Sequence, residues 1–160
     1  MGVISDRLEE LGLSLPEPLQ VPEGLVLPFS WVRVQGDRAY VSGHVPTNLD
    51  GSIAEPLGKV GADVTPEQAI ESARKVALGM IGSLERELGD LDRIRGWLRV
   101  FSMVNCAPGF TNTAHFANGF SELIVEIFGK EKGIHARSAV GMAELPFSIP
   151  VEFEAEVLIA

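Results

Sequence analysis

The side chains able to do chemistry are few and lie in three places. The segment His135-Ala136-Arg137-Ser138-Ala139-Val140-Gly141 sets one guanidinium just ahead of a run that reads as a strand, and Val151-Glu152-Phe153-Glu154-Ala155-Glu156 alternates carboxylates with apolar residues. Successive strand residues face opposite ways, so Glu152, Glu154 and Glu156 share one face and Val151, Phe153 and Ala155 the other. Near the start, Val41-Ser42-Gly43-His44-Val45-Pro46 ends a strand at a glycine. An arginine so placed has two readings: an intersubunit salt bridge to Glu152 or Glu154, or a planar fork for an anionic ligand. Glu154 and Glu156 read as a solvated or channel-lining face. Cys106, beside a Pro-Gly loop with no evident base, reads as a small buried hydrophobe. His44, His115 and His135 share no ligand spacing, so no metal site is expected, and no Gly-x-Gly-x-x-Gly precedes a helix to hold a phosphate.

These residues need a scaffold, and the intervening sequence supplies one. Ser5 to Gly12 suits a brief helix, and Pro16, Pro18, Pro22 and Pro28 then force an extended approach to the first strand. Two runs, 29–34 and 38–42, flank Gln35-Gly36-Asp37 as a hairpin. Residues 45–64 form a long loop rich in turn residues. Thr65-Pro66-Glu67-Gln68 opens a helix with an N-cap, a first-turn proline and a capping-box glutamine, and Gly89 closes it. Residues 93–104 read as a central strand. Phe116, Phe120, Leu123, Ile124, Ile127 and Phe128 then mark a second amphipathic helix ending near Gly129, and 139–142 and 151–159 are the last two strands. The order ββαβαββ predicts one α+β domain over 1–160, with 1–22 as an N-terminal extension and two helices on one face of a mixed sheet. The opposite face, carrying carboxylates with apolar residues such as Trp97, Phe101 and Met103 or their strand neighbours, asks for burial by oligomerisation.

Composition narrows the class. Among 160 residues, 13 basic and 22 acidic side chains give a formal net charge of -9, which argues against a phosphate-backbone partner and for a small charged molecule. With 46% hydrophobic residues the chain can bury a core. No apolar run approaches the ~18 residues of a membrane-spanning helix, and the N-terminus lacks a signal-peptide layout, so a cytoplasmic protein with no membrane partner is expected.

The Ser-Gly-x-x-Pro run at Ser42 and the Ala-Arg-Ser strand at Arg137, followed by Leu145-Pro146 and Val151-Glu152, resemble the YjgF/RidA family of imine and enamine deaminases, also called endoribonuclease L-PSP. The resemblance spans roughly residues 26–159. It implies a chorismate-mutase-like fold, a homotrimer with clefts between subunits, no cofactor, and hydrolysis of 2-aminoacrylate-like imines to a 2-keto acid and ammonia. It makes Arg137 the clamp for the substrate carboxylate and Glu152 the residue that positions or activates water. Gly43, with Ser42 beside it, and the main chain of Ala139 line the cleft, Asn118 matches an Asn of the second helix, and either Phe29 or Trp31 overhangs the site. Two departures stand out: Ala139 replaces a frequent Cys, and residues 103–119 are longer than usual, marking a long-form branch. The alternative to a deaminase is a non-catalytic trimeric module that binds small carboxylates or a protein partner in the same clefts. An endoribonuclease ranks third because of the charge.

Overall fold

The local signals around Thr65 set the frame. In the computed structural model, which describes residues 2–160, Thr65 Oγ1 accepts from the Gln68 amide at 3.3 Å and Gln68 Oε1 accepts from the Thr65 amide at 2.9 Å. This reciprocal cap starts helix α2 (Pro66–Leu88), and Gly89 ends it in the left-handed conformation, φ 74°. Helix α3 (Thr113–Gly133) leaves helical geometry at Gly129, φ 75°, where its end was expected, and then resumes for a last turn.

The strands are β1 (Val32–Gln35), β2 (Arg38–His44), β3 (Ile94–Asn105), β4 (Ala136–Met142) and β5 (Val151–Ile159), in the spatial order β1-β2-β5-β3-β4. Only β3 and β4 run parallel; the other pairs are antiparallel, so the sheet is mixed as predicted. The long α3 crossover is what allows that parallel pair. Strand β4 begins at Ala136, earlier than the sequence suggested, while β1 begins only at Val32. Phe29 and Ser30 therefore lie in the lead-in to the sheet.

Both long helices cover one face of the sheet. Met80, Ile81 and Leu84 of α2 and Phe116, Phe120 and Leu123 of α3 are fully buried against Val100, Phe153 and Val157. Phe120 stacks on Phe153 with centroids 4.5 Å apart. The alternation expected for β5 holds: Val151, Phe153, Ala155, Val157 and Ile159 are buried, and the three glutamates point to the uncovered face. Trp97 corrects an expectation. It is buried under α3 against Phe120 and Phe128, whereas Phe101 and Met103 face the open side. A bulge between Trp97 and Arg99 sets three β3 residues against two of β5 and so reverses the alternation.

Helix α1 (Val3–Glu10) starts earlier than expected because Asp92, not a residue beside it in sequence, caps it. The Asp92 carboxylate accepts from the Val3 and Ile4 amides at 2.7 and 2.9 Å, which holds its pKa below the usual range, and Ile4 and Leu8 bury the helix. The long-form segment supplies the end of β3, a loop, and the first turns of α3. Phe110 in that loop packs against Phe116 and Gly61, and Ala107 donates to the Val60 carbonyl at 3.0 Å. Among the described residues no helix is long and apolar enough to cross a membrane.

Candidate active site

Register decides which site residues can meet. Arg137 pairs with Val100, which pairs with Ala155, so its side chain rises on the helix-covered face. Glu152 pairs with Met103, which pairs with Val140, and lies on the open face. An odd separation along each strand puts the two on opposite sides of one sheet. The structure gathers the predicted residues into two groups, one around each.

Around Glu152 the chain forms a cleft of about 500 Å³. A second bulge, in β2 between Val41 and His44, turns Gly43 toward Glu152 and sends His44 into the core. A Cβ at Gly43 would run into Glu152 Oε1, so glycine is what lets the carboxyl lie there. Half-buried, with Glu154 on the same strand face, Glu152 has its pKa pushed up, chiefly by desolvation and then by that second carboxylate. Both candidate aromatics line the cleft: Phe29 and Trp31 meet edge to face at 5.3 Å. Ser42 fixes the main chain at Trp31 and at Ser30, the residue between the two rings, its amide donating to the Trp31 carbonyl at 3.0 Å and its hydroxyl to the Ser30 carbonyl at 2.7 Å.

Behind Trp31, whose ring touches the imidazole at 5.4 Å, lies His44. The Ser42 carbonyl can only accept, so His44 Nδ1 carries the proton, 2.7 Å away, and Nε2 accepts from the Ser83 hydroxyl at 2.8 Å. Burial pulls the His44 pKa down to about 4. Arg86 donates to Ser83 Oγ at 3.2 Å and to the Pro16 carbonyl at 3.1 Å, tying α2 to the extension.

Around Arg137 every partner is neutral. Its Nη1 donates to Asn118 Oδ1 and Ser121 Oγ, both at 3.0 Å, and Nη2 donates to the Ala114 carbonyl at 3.3 Å. Among the described residues it forms no ion pair, so its charge is not spent on a carboxylate of its own chain. Ala139 sits two residues along β4, partly buried, with its carbonyl accepting from Thr113 Oγ1 at 3.1 Å. Of the remaining glutamates, Glu156 pairs with Arg38, and Glu154 is exposed on the open face. Burial pushes the Cys106 thiol up, away from nucleophilic use.

Three contributors escaped the sequence reading. Ser121 and His135 support Arg137: His135 Nδ1–H donates to the Gly133 carbonyl at 2.7 Å, leaving Nε2 to accept from Ser121, 2.9 Å away. Ser121 follows Asn118 by one helical turn, a spacing that could have revealed it. Phe147 stands at the mouth of the Glu152 cleft, and nothing local announces its positive φ of 56°.

Protein TCP17 of Trypanosoma cruzi is 38% identical over 156 residues, covering 98% of this chain and 94% of that protein. The crystal structure of Atu1372 from Agrobacterium tumefaciens, a protein of unknown function, is 36% identical with a TM-score of 0.87 over 99% of this chain and 93% of its own. YyfA of Yersinia pestis, from the conserved Rid protein family, shares the fold at a TM-score of 0.60 and 20% identity, over 91% of this chain and 98% of its own. The chain belongs to the YjgF/RidA family. No family model matches the chain. A candidate endoribonuclease of Shewanella oneidensis is also similar, 25% identical with a TM-score of 0.87 over 99% of this chain and all (100%) of its own. The shared fold is the α+β, chorismate-mutase-like one expected from the motifs around Ser42, Arg137 and Glu152.

Proposed function

We propose that the protein is a hydrolytic deaminase of imine and enamine intermediates of 2-amino acids, working as a homotrimer with its sites between copies. The observation that carries this reading is Glu152: a carboxyl that lines a cleft, lies against Gly43 and is lifted above its ordinary range chiefly by desolvation, a setting that suits proton exchange with a bound water. Arg137, with its charge uncommitted, supports a clamp for the substrate carboxylate. The two lie on opposite faces of one sheet, so a substrate touching both must sit between copies. Burial of Phe101 and Met103 on the open face favours the same assembly.

The chemistry balances with water alone. Water adds to C2 of a 2-imino acid as Glu152 takes one proton and passes it to nitrogen, giving a carbinolamine; the carbinolamine hydroxyl then gives its own proton, by way of Glu152, to the same nitrogen as the C–N bond breaks, and ammonia and a 2-keto acid leave. An enamine such as 2-aminoacrylate first takes a proton at C3 to become the imine. Arg137 of a neighbouring copy fixes the carboxylate, and so the distance from C2 to the water. A ribonuclease, which the description of the Shewanella protein suggests, is disfavoured by the net charge of -9.

The test is keto-acid release from freshly generated 2-aminoacrylate. Wild type should accelerate it, and Glu152→Gln should lose ~10²- to 10⁴-fold while still binding keto acids and keeping the assembly. No acceleration across several imino acids, with keto-acid binding retained, would replace the deaminase by a binding module. Dissociation of Glu152→Gln would make the carboxylate an interface residue.

A further inference from the structure

The Glu152 cleft is larger and more apolar than a three-carbon imine needs. Glu152 is the only charged side chain in its lining, and the walls are carried by Leu25, Leu27, Phe29, Trp31 and Phe147. Surface apolar residues normally scatter, yet Leu25, Phe29 and Phe147, each at least half exposed, converge on this one cleft. Its ~500 Å³ falls within the range of pockets that take whole small molecules.

The walls are fixed, not incidental. On one side the extension is tied down before it reaches the cleft: Glu17 N donates to the Leu49 carbonyl, Gln20 N to the Gly51 carbonyl and Gln20 Nε2 to the Asp50 carbonyl, each at 2.9 Å. At its other end Ser42 holds Ser30 and Trp31. On the opposite side Phe147 and Ser148 adopt φ of 56° and 57°, a left-handed pair that is costly for residues with a Cβ. That strained turn is what delivers the exposed Phe147 ring to the cleft mouth, while Ile149 anchors it in a small core with Val45 and Leu145.

We infer that the cleft selects 2-imino acids bearing a large apolar side chain, aliphatic or aromatic, over the imine of alanine. The inference rests on the deaminase reading, because it places the reacting carbon beside Glu152 and sends the rest of the substrate outward between Phe147 and the extension. A larger side chain displaces water from these walls, and each added apolar group increases the discrimination.

The experiment generates imines in situ with D-amino-acid oxidase and catalase from D-alanine, D-methionine and D-phenylalanine, and follows keto-acid release against semicarbazide trapping. The imine carbon is planar, so the handedness of the precursor is lost. Expected is a kcat/KM at least about tenfold higher for the methionine and phenylalanine imines than for the alanine imine. Phe147→Gly should shrink that ratio several-fold, and because glycine takes a positive φ freely its Tm should stay equal or rise. Leu27→Ser on the opposite wall should shrink it as well. An alanine imine hydrolysed as well as the large ones overturns the inference and leaves the deaminase reading standing. If no imine is accelerated, that reading fails, and calorimetry decides the cleft's preference by itself: phenylpyruvate must then bind at least about tenfold tighter than pyruvate, and equal affinity overturns the inference.

Discussion

Arg137 owes its aim to side chains that carry no charge. A carboxylate partner would hold the guanidinium as firmly as Ser121 and Asn118 do, but it would neutralise the charge that a ligand needs. The neutral His135 ring keeps the Ser121 hydroxyl turned toward Nε2, so that a Ser121 lone pair is left for Arg137. Burial lowers the His135 pKa, and the nearby Arg137 charge acts against its hydrogen bond to Gly133 in the same direction, so the ring stays neutral at pH 7. Ser121→Ala should therefore let the fork swing. A hydrogen bond to a charged group is worth about 1.5–3 kcal/mol, so KM for an imine and Kd for a keto acid should both rise roughly tenfold or more with kcat kept. His135→Asn should move KM the same way, and a change in kcat alone in both variants would remove the positioning role. Arg137 and Glu152 were legible because the Ala-Arg-Ser and Val-Glu runs that carry the family resemblance contain them; the residues alone left Arg137 open between a salt bridge and a ligand. Ser121 carried only the one-turn spacing from Asn118, and His135 no signal at all, because their support of Arg137 is a contact between α3 and the start of β4 that forms only in the folded chain.

At the scale of elements, the order of strands and helices was readable because each carries its own signal: the Thr65 box, the period of β5, the turn at Gly36. The faces were less readable, because three bulges, one in β2 and two in β3, reverse the alternation on which face assignment depends, as at Trp97. The β2 bulge also makes a stability prediction. By turning His44 inward it ties β2 to α2 through Ser83, with the imidazole held near 4 instead of its ordinary 6.5. A histidine with a lowered folded value leaves stability intact above 6.5 and withdraws it as pH falls toward 4, because only the unfolded chain takes up the proton. Integrated over that window the loss is ~3 kcal/mol. His135, shifted the same way, adds to it, whereas Glu152, shifted up, acts in the opposite sense, its contribution being lost as pH rises. These contributions cancel when wild type is compared with His44→Gln. Urea midpoints between pH 7 and 4.5 should fall more steeply for wild type than for the variant, and parallel profiles would show that His44 is protonated in the folded state.

At the scale of the whole molecule, the sheet sets Arg137 and Glu152 on opposite faces, so under the proposed function a single copy holds two half-sites. Sequence alone could name both halves but could not say that they are separated, since strand pairing and register first appear in three dimensions. If the halves meet across a threefold interface, each site takes Arg137 from one copy and Glu152 from the next. The proposed trimer should first show itself by light scattering as a mass about three times the 17.2 kDa of the chain. The sharper test mixes two dead proteins. Arg137→Ala and Glu152→Gln each remove one half of every site in their own trimers and should be inactive alone. Unfolded together in equal amounts and refolded, they reassort, and a site is intact whenever its Arg137 comes from a Glu152→Gln copy and its Glu152 from an Arg137→Ala copy. Random reassortment makes that roughly one interface in four, so about a quarter of wild-type activity should return. Mixing the folded variants without unfolding should return less, at a rate set by subunit exchange. Activity that stays absent after co-refolding, with trimers of both chains demonstrably formed, would mean that both residues act within one copy, and the intersubunit site would have to be abandoned.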